Sequence, residues 1–238
     1  MKIFETLVHT QLYTFIDANN ILTANQSGFR PKHSTQTCLI DVSDYLLDNM
    51  SSGLFTGAVF LDLKKAFDTV HHNVLIKKLE SVGMQGLELE WFSSYLNDRY
   101  QITKIGDHYS TKAPVKFGVP QGSILGPLLF TVYINDLTNH LKSTESKVYL
   151  YADDTAIFVR GKTVEGINRV LNSELNHVSR WLQKNFLTLN VKKTKTMLFA
   201  TKRKLATSIE SLKVYIKKDP IENVQSLKYL GIWLDPSL

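Results

Sequence analysis

Two consecutive carboxylates, Asp153 and Asp154, lie between the runs Val148-Tyr149-Leu150-Tyr151-Ala152 and Thr155-Ala156-Ile157-Phe158-Val159. The flanking runs are apolar, β-branched and aromatic, as strands are, so the acidic pair falls at the turn of a β-hairpin. Neighbouring carboxylates repel, and a divalent cation is the simplest reason to set them together between two strands. Hard oxygen ligands on a rigid turn suit Mg²⁺, which keeps part of its water and takes substrate phosphates as further ligands. An isolated Asp-Asp is more often an ordinary solvated turn, because Asp favours turns for local reasons. The metal reading therefore needs other residues to converge on the pair.

Asp62 is the first of these. It closes the short run Gly57–Leu63, where alternation puts Ala58, Phe60 and Asp62 on one side and Val59, Leu61 and Leu63 on the other. A carboxylate at the end of an apolar strand is either exposed at a sheet edge or directed into a polar site. If this strand pairs centrally with the hairpin, three carboxylates meet. Such a set, without histidine or thiol, favours hard cations. Two such ions clamp the attacking and leaving oxygens of an in-line phosphoryl displacement. Arg30 lies in the turn-rich segment from Asn25 to Ser34, which reads as a solvated loop or as a phosphate grip for its guanidinium fork. Lys192, Lys193 and Lys195 form a basic turn, usually a solvated face. His71-His72 invites a metal reading, but adjacent helical residues diverge and do not chelate together.

These groups need a scaffold. Helices are expected over about Ile3 to Asn20, Thr35 to Met50 (with Leu39, Val42, Leu46, Leu47 and Met50 on one face), through Leu75, Leu79 and Val82 to Gly83, and over Leu89 to Leu96. A pair of strands turning near Gly106-Asp107 follows. Pro120-Gln121-Gly122-Ser123 then opens a helix that is apolar all round and therefore buried. The glycines at its start imply close backbone approach, to a packed neighbour or to a nucleotide lying over it. Thr163 to Lys184 carries the clearest helical period, with Thr163 as its cap. Final strands are expected near Leu212–Ile216 and Tyr229–Leu234, with Pro220 marking the break between them. The order predicts an α+β fold, an antiparallel sheet with helices on one face.

Composition sets outer bounds. The 238 residues suffice for one large domain or two small ones, and 43% hydrophobic content excludes a disordered chain. A formal charge of +6 suits a polyanionic partner or simple solubility, and charge by itself does not choose between them. The single cysteine, Cys38, excludes an intrachain disulfide framework and reads as a small core residue. No signal peptide is evident, and the longest apolar stretch, Ile124 to Ile134, is too short for a bilayer.

The ordered motifs carry a resemblance. Phe60-Leu61-Asp62-Leu63-Lys64-Lys65-Ala66-Phe67-Asp68, Gly118-Val119-Pro120-Gln121-Gly122-Ser123 with Gly126-Pro127, and Tyr151-Ala152-Asp153-Asp154 resemble the reverse transcriptases of non-LTR retrotransposons, especially the jockey-like elements of animals. Gln26, Gly28, Phe29 and Arg30 match the family's fingers motif. Asn190, Lys193 and Thr194 match the motif after the catalytic hairpin, and Leu230-Gly231 with Asp235 matches the primer-grip hairpin. The resemblance covers nearly the whole chain and outweighs the prior set against the Asp pair.

It implies a right-hand polymerase palm (57–238, ending in the primer grip of Leu230 and Gly231) with partial fingers (1–56), lacking thumb and endonuclease. The implied activity is RNA-directed DNA synthesis by two-metal transfer of dNTPs onto a primer 3′-hydroxyl. The implied partners are RNA template, DNA primer and dNTPs, inside the cell in nucleus or cytoplasm and away from membranes. Asp62, Asp153 and Asp154 would hold two Mg²⁺ ions, with Mn²⁺ as the alternative. Arg30, Leu63, Phe67, Gln121 and Gly122 would contact the dNTP, with Phe67 beneath its sugar. Lys193 would donate a proton to pyrophosphate, with Lys192 and Lys195 as rivals. The alternative is a truncated, catalytically idle relic that only binds nucleic acid.

Overall fold

The structure is a computed structural model that describes residues 2–208 and 210–238. Its helices are α1 (Lys2–Ala18), α2 (Thr35–Ser51), α3 (His72–Ser81), α4 (Gly86–Leu96), α5 (Leu125–Ile134), α6 (Val164–Lys184) and α7 (Lys202–Thr207). The chain forms two compact units. One comprises residues up to 22 with 65–134 and 185–187; the other comprises 23–64, 135–184 and 188–238.

The second unit is built on a sheet of β1 (Phe55–Leu61), β2 (Ser146–Tyr151), β3 (Asp154–Gly161), β4 (Lys195–Phe199) and β5 (Glu222–Asn223), in the order β5-β4-β1-β3-β2. Neighbours are antiparallel except β5 and β4. Strand β1 lies at the centre and is buried at every position. Cys38, Leu39, Val42, Leu46 and Met50 of α2 pack against Ala58, Phe60, Phe158, Met197 and Phe199. The opposite face of β1 meets α6, so closely that a side chain at Gly57 would strike Ile167 and Leu171.

The α+β expectation holds, but helices cover both faces rather than one. The reason is visible in β1, whose Phe-Thr-Gly-Ala-Val-Phe-Leu is apolar or small throughout and needs cover on each side. Helix α6 starts as expected, with Thr163 Oγ1 accepting from the Gly166 N–H at 3.2 Å. Cys38 is a core residue, while Leu47, assigned to the buried face of α2, is exposed. Pro220 does not break the chain between strands; it pairs with Tyr215 in a small hairpin.

In the first unit, α5 is buried along nearly its whole length. Glu5 of α1, itself buried, accepts from the Ile124 N–H at 2.8 Å and from the Tyr95 hydroxyl at 3.3 Å, which fixes the entry to α5. The expected strand pair is Lys104–Ile105 with His108–Tyr109, turning at Gly106-Asp107, backed by Tyr100–Gln101 with Ala113–Pro114. His72 bonds the Gly118 carbonyl at 2.8 Å and His71 stacks near Phe117 and Phe186, so the two histidines diverge as expected. No helix among the described residues is long and apolar enough to cross a membrane.

Candidate active site

Asp62 leaves β1 one residue beyond the last pair, Leu61 with Thr155. Its backbone is held from the side by residues 188–194. The Asp62 carbonyl accepts from the Asn190 N–H at 2.8 Å, and its N–H donates to Thr194 Oγ1 at 3.3 Å. The Lys64 N–H donates to the Thr188 carbonyl at 2.8 Å, and Leu63 bridges Leu189. On the neighbouring strands, Tyr151 pairs with Asp154, which leaves Ala152 and Asp153 as a two-residue turn between β2 and β3. Antiparallel register carries Asp154 to the position facing Asp62, one step past Leu61–Thr155. The three carboxylates therefore gather at one end of the central strands.

The three form an electrostatically unfavourable group on their own. The Asp153 carboxyl is pushed above the usual carboxylate range, by desolvation first and by the charge of Asp62 next. Asp154 is pushed up too, by protein packed around its carboxyl and then by Asp153 and Asp62, although the residue as a whole is exposed. Among the described residues no lysine or arginine pairs with any of the three. Oxygen-only donors, partly desolvated and without a counter-charge, fit a hard divalent cation. As the side chains lie, no three His, Cys, Asp or Glu groups among the described residues enclose an ion.

The other expected residues divide between the units. Arg30 Nη1 donates to the carbonyls of Thr23 (3.0 Å) and Gln26 (3.3 Å), so this part of its guanidinium braces its own loop. Lys195 pairs with Glu222 and donates to the Lys192 carbonyl at 2.9 Å, whereas Lys192 and Lys193 are exposed. Leu230 and Gly231 form the two-residue turn of a hairpin between Leu227–Tyr229 and Ile232–Leu234. Phe67, Gln121 and Gly122 belong to the other unit. There, the Val119 N–H donates to the Phe67 carbonyl and the Gly118 N–H to that of Val70, zipping the two motifs together. Gln121 Nε2 donates to Asp68 Oδ1 at 2.7 Å, Gly122 is exposed, and the half-buried Phe67 ring stacks on Phe130 at 4.3 Å.

The model of the reverse transcriptase (RNA-dependent DNA polymerase) family matches residues 1–234. The chain belongs to this family. It is 30% identical over 242 residues to the RNA-directed DNA polymerase from mobile element jockey of Drosophila melanogaster, covering 100% of this chain and 26% of that protein. It is 31% identical over 242 residues to the probable RNA-directed DNA polymerase from transposon X-element of the same species, again across 100% of the chain and 26% of the relative. The chain thus spans about a quarter of the length of these relatives. Its fold is similar to that of apo telomerase from Candida tropicalis, with a TM-score of 0.66 at 12% identity, over 97% of this chain and 44% of that one. A Candida albicans telomerase solved with a fragment of telomeric RNA gives 0.61 at 15% identity, over 99% and 36%.

Within this reverse transcriptase chain, several motif residues that carried no role in the sequence act as supports. Thr194, fully buried, and Asn190 hold the backbone of Asp62. Gln26, also fully buried, accepts with Oε1 from the Gly28 N–H at 2.7 Å and from the Ala152 N–H at 3.1 Å. Neither contact is written in local periodicity. A glutamine two residues before a glycine in a polar loop reads as solvated, and only its match to the fingers motif set it apart.

Proposed function

We propose that this chain is the polymerase segment of a non-LTR retrotransposon reverse transcriptase, joining dNTPs to a primer 3′-hydroxyl on an RNA template. The observation that carries this reading is the gathering of Asp62, Asp153 and Asp154, unneutralised, at the end of the central strands. The names of the sequence relatives supply the RNA-directed reaction, and the net charge of +6 suits a polyanionic partner.

In this mechanism Asp62, Asp153 and Asp154 would hold two divalent cations, Mg²⁺ or Mn²⁺, which would supply Lewis-acid activation of the attacking hydroxyl and neutralisation of charge on the transferred phosphate. The Asn190 and Thr194 contacts keep Asp62 aimed at that point. Lys193, exposed and free of the pairing that occupies Lys195, is the proton donor for leaving pyrophosphate. Arg30 offers its Nη2 protons to the triphosphate, its Nε–H being buried, and the family resemblance assigns Leu63 and Gly122 to the nucleotide as well. The family resemblance assigns its sugar to Phe67 and Gln121, whose motifs are zipped together. Leu230 and Gly231 steady the primer.

Primer extension on an RNA template with Mg²⁺ and dNTPs tests the reading: template-dependent products are expected, and their absence at every enzyme concentration favours the idle relic. Binding to a primer–template should also weaken steeply as salt rises, because phosphate contacts release counterions. Phe67→Val should lower the preference for dNTPs over rNTPs while Mg²⁺-dependent extension persists. Unchanged sugar selectivity in an active variant would leave Phe67 as packing against Phe130.

A further inference from the structure

The turn that carries Asp153 is not held by its own hairpin alone. Residues 25–28 run along the outer edge of β2: the Leu150 N–H donates to the Asn25 carbonyl at 2.9 Å, and the Ser27 N–H returns to the Leu150 carbonyl at 2.8 Å. The chain then arrives over the turn itself. The Gln26 side-chain oxygen takes both the Gly28 N–H and the Ala152 N–H. Two backbone donors fix that atom as the oxygen, since a nitrogen there could accept neither. Gly28 lies so close that a Cβ would stand 2.2 Å from the Ala152 nitrogen. Ala152 meanwhile has φ of +57°, at the turn position where type II′ turns take glycine. Such a conformation is strained for a non-glycine residue and persists where surrounding structure over-determines it. The Gln26 and Gly28 contacts are that over-determination.

We infer that Gln26 is a positioning residue for the metal-binding turn: with Gly28 it clasps the Ala152 backbone and so sets the direction in which Asp153 presents its carboxylate. The inference rests on the reading of Asp62, Asp153 and Asp154 as cation ligands, and it adds a part to that site that touches neither ion nor nucleotide. A water molecule cannot replace Gln26 here, because the residue is fully buried and Gly28 fills the adjoining space. Removing the acceptor leaves two buried N–H donors unpaired, which the chain avoids by letting the turn relax.

The test uses amide hydrogen exchange of the intact chain by NMR together with Mn²⁺ titration followed by EPR. In the wild type, Ala152 should exchange as slowly as Ile157 in β3, whereas Leu230, half-buried in the turn that ends in the exposed Gly231, exchanges at least tenfold faster. An Ala152 amide as fast as Leu230 overturns the clasp without any variant, and does so even if the protein is sensitive to change at Gln26. Gln26→Met keeps the shape and removes the acceptor. Ala152 exchange should rise at least tenfold and Mn²⁺ affinity fall at least tenfold, with Ile157 unchanged. Leu46→Ala, in the core under the sheet, should lower global stability yet leave Mn²⁺ affinity as it was. Slow Ala152 exchange and native Mn²⁺ affinity in Gln26→Met overturn the inference. Absence of Mn²⁺ binding in the wild type counts against the polymerase reading instead, and Ala152 protection then decides the clasp alone.

Discussion

Among the described residues the second unit has three hairpins with two-residue turns, at Ala152-Asp153, Lys217-Lys218 and Leu230-Gly231, and the first and the last are built on different physics. The turn of Leu230-Gly231 has positive φ at both positions, 46° and 96°, as type I′ turns do, and the space around Gly231 is open. Its second position is supplied locally by the glycine, which enters that region without steric cost, while Leu230 at the first position shares the positive φ of Ala152 and packs against the core. The turn of Ala152-Asp153 has no glycine. Its positive φ falls on a buried alanine, and the conformation is imposed by Gln26, 126 residues away in sequence. A local turn only has to connect two strands. A turn that presents a carboxylate beside two others must be held against strain and charge repulsion together, which takes a contact from outside the hairpin.

Asp153→Asn should have the largest effect: primer extension falls to background while circular dichroism stays native, because the turn survives but a charged ligand is gone. In the same variant the metal-free melting temperature holds or rises, since the amide removes a desolvated charge that repels Asp154 and Asp62; a clear fall in calorimetry would show that the carboxylate is structural. Gly28→Ala comes next. Its new methyl collides with the Ala152 backbone, and urea denaturation should register a loss of roughly 3 kcal/mol. Gly231→Ala forces a side chain into positive φ and should cost about 1 kcal/mol by the same measurement, with Mn²⁺ affinity at the carboxylates unchanged, because that turn is independent of them. Ala152→Gly should be the mildest. Relief of the positive φ is offset by extra freedom in the unfolded chain, and stability should stay within about 1 kcal/mol of the wild type. A large loss there would mean that the alanine methyl, rather than the Gln26 contact, holds the turn.

Much of this protein is written in short-range sequence. The alternation of Gly57–Leu63, the apolar runs around Asp153-Asp154 and the 3.6-residue period of 163–184 determined the central strands and α6, because burial enforces periodicity wherever one face meets a core. The same local reading put Asp62 at a strand end and Asp153 in a turn, and the motifs gave the family. Tertiary structure decided the rest. Leu47 and Leu46 differ little as letters, yet one is exposed and one buried, since a helix stripe fixes direction only to within a residue. Helices cover both faces of the sheet because chain connectivity, invisible in periodicity, brings α2 to one side and α6 to the other. Lys195 is drawn into a pair with Glu222 by the parallel β4–β5 contact, which no local pattern records. Gln26, Gly28 and Thr194 likewise look like solvated loop residues until folding sets them against Ala152 and Asp62. A hydrogen bond to a backbone N–H leaves no mark on the residue that receives it, so the sequence names the carboxylates while only the folded chain shows what aims them.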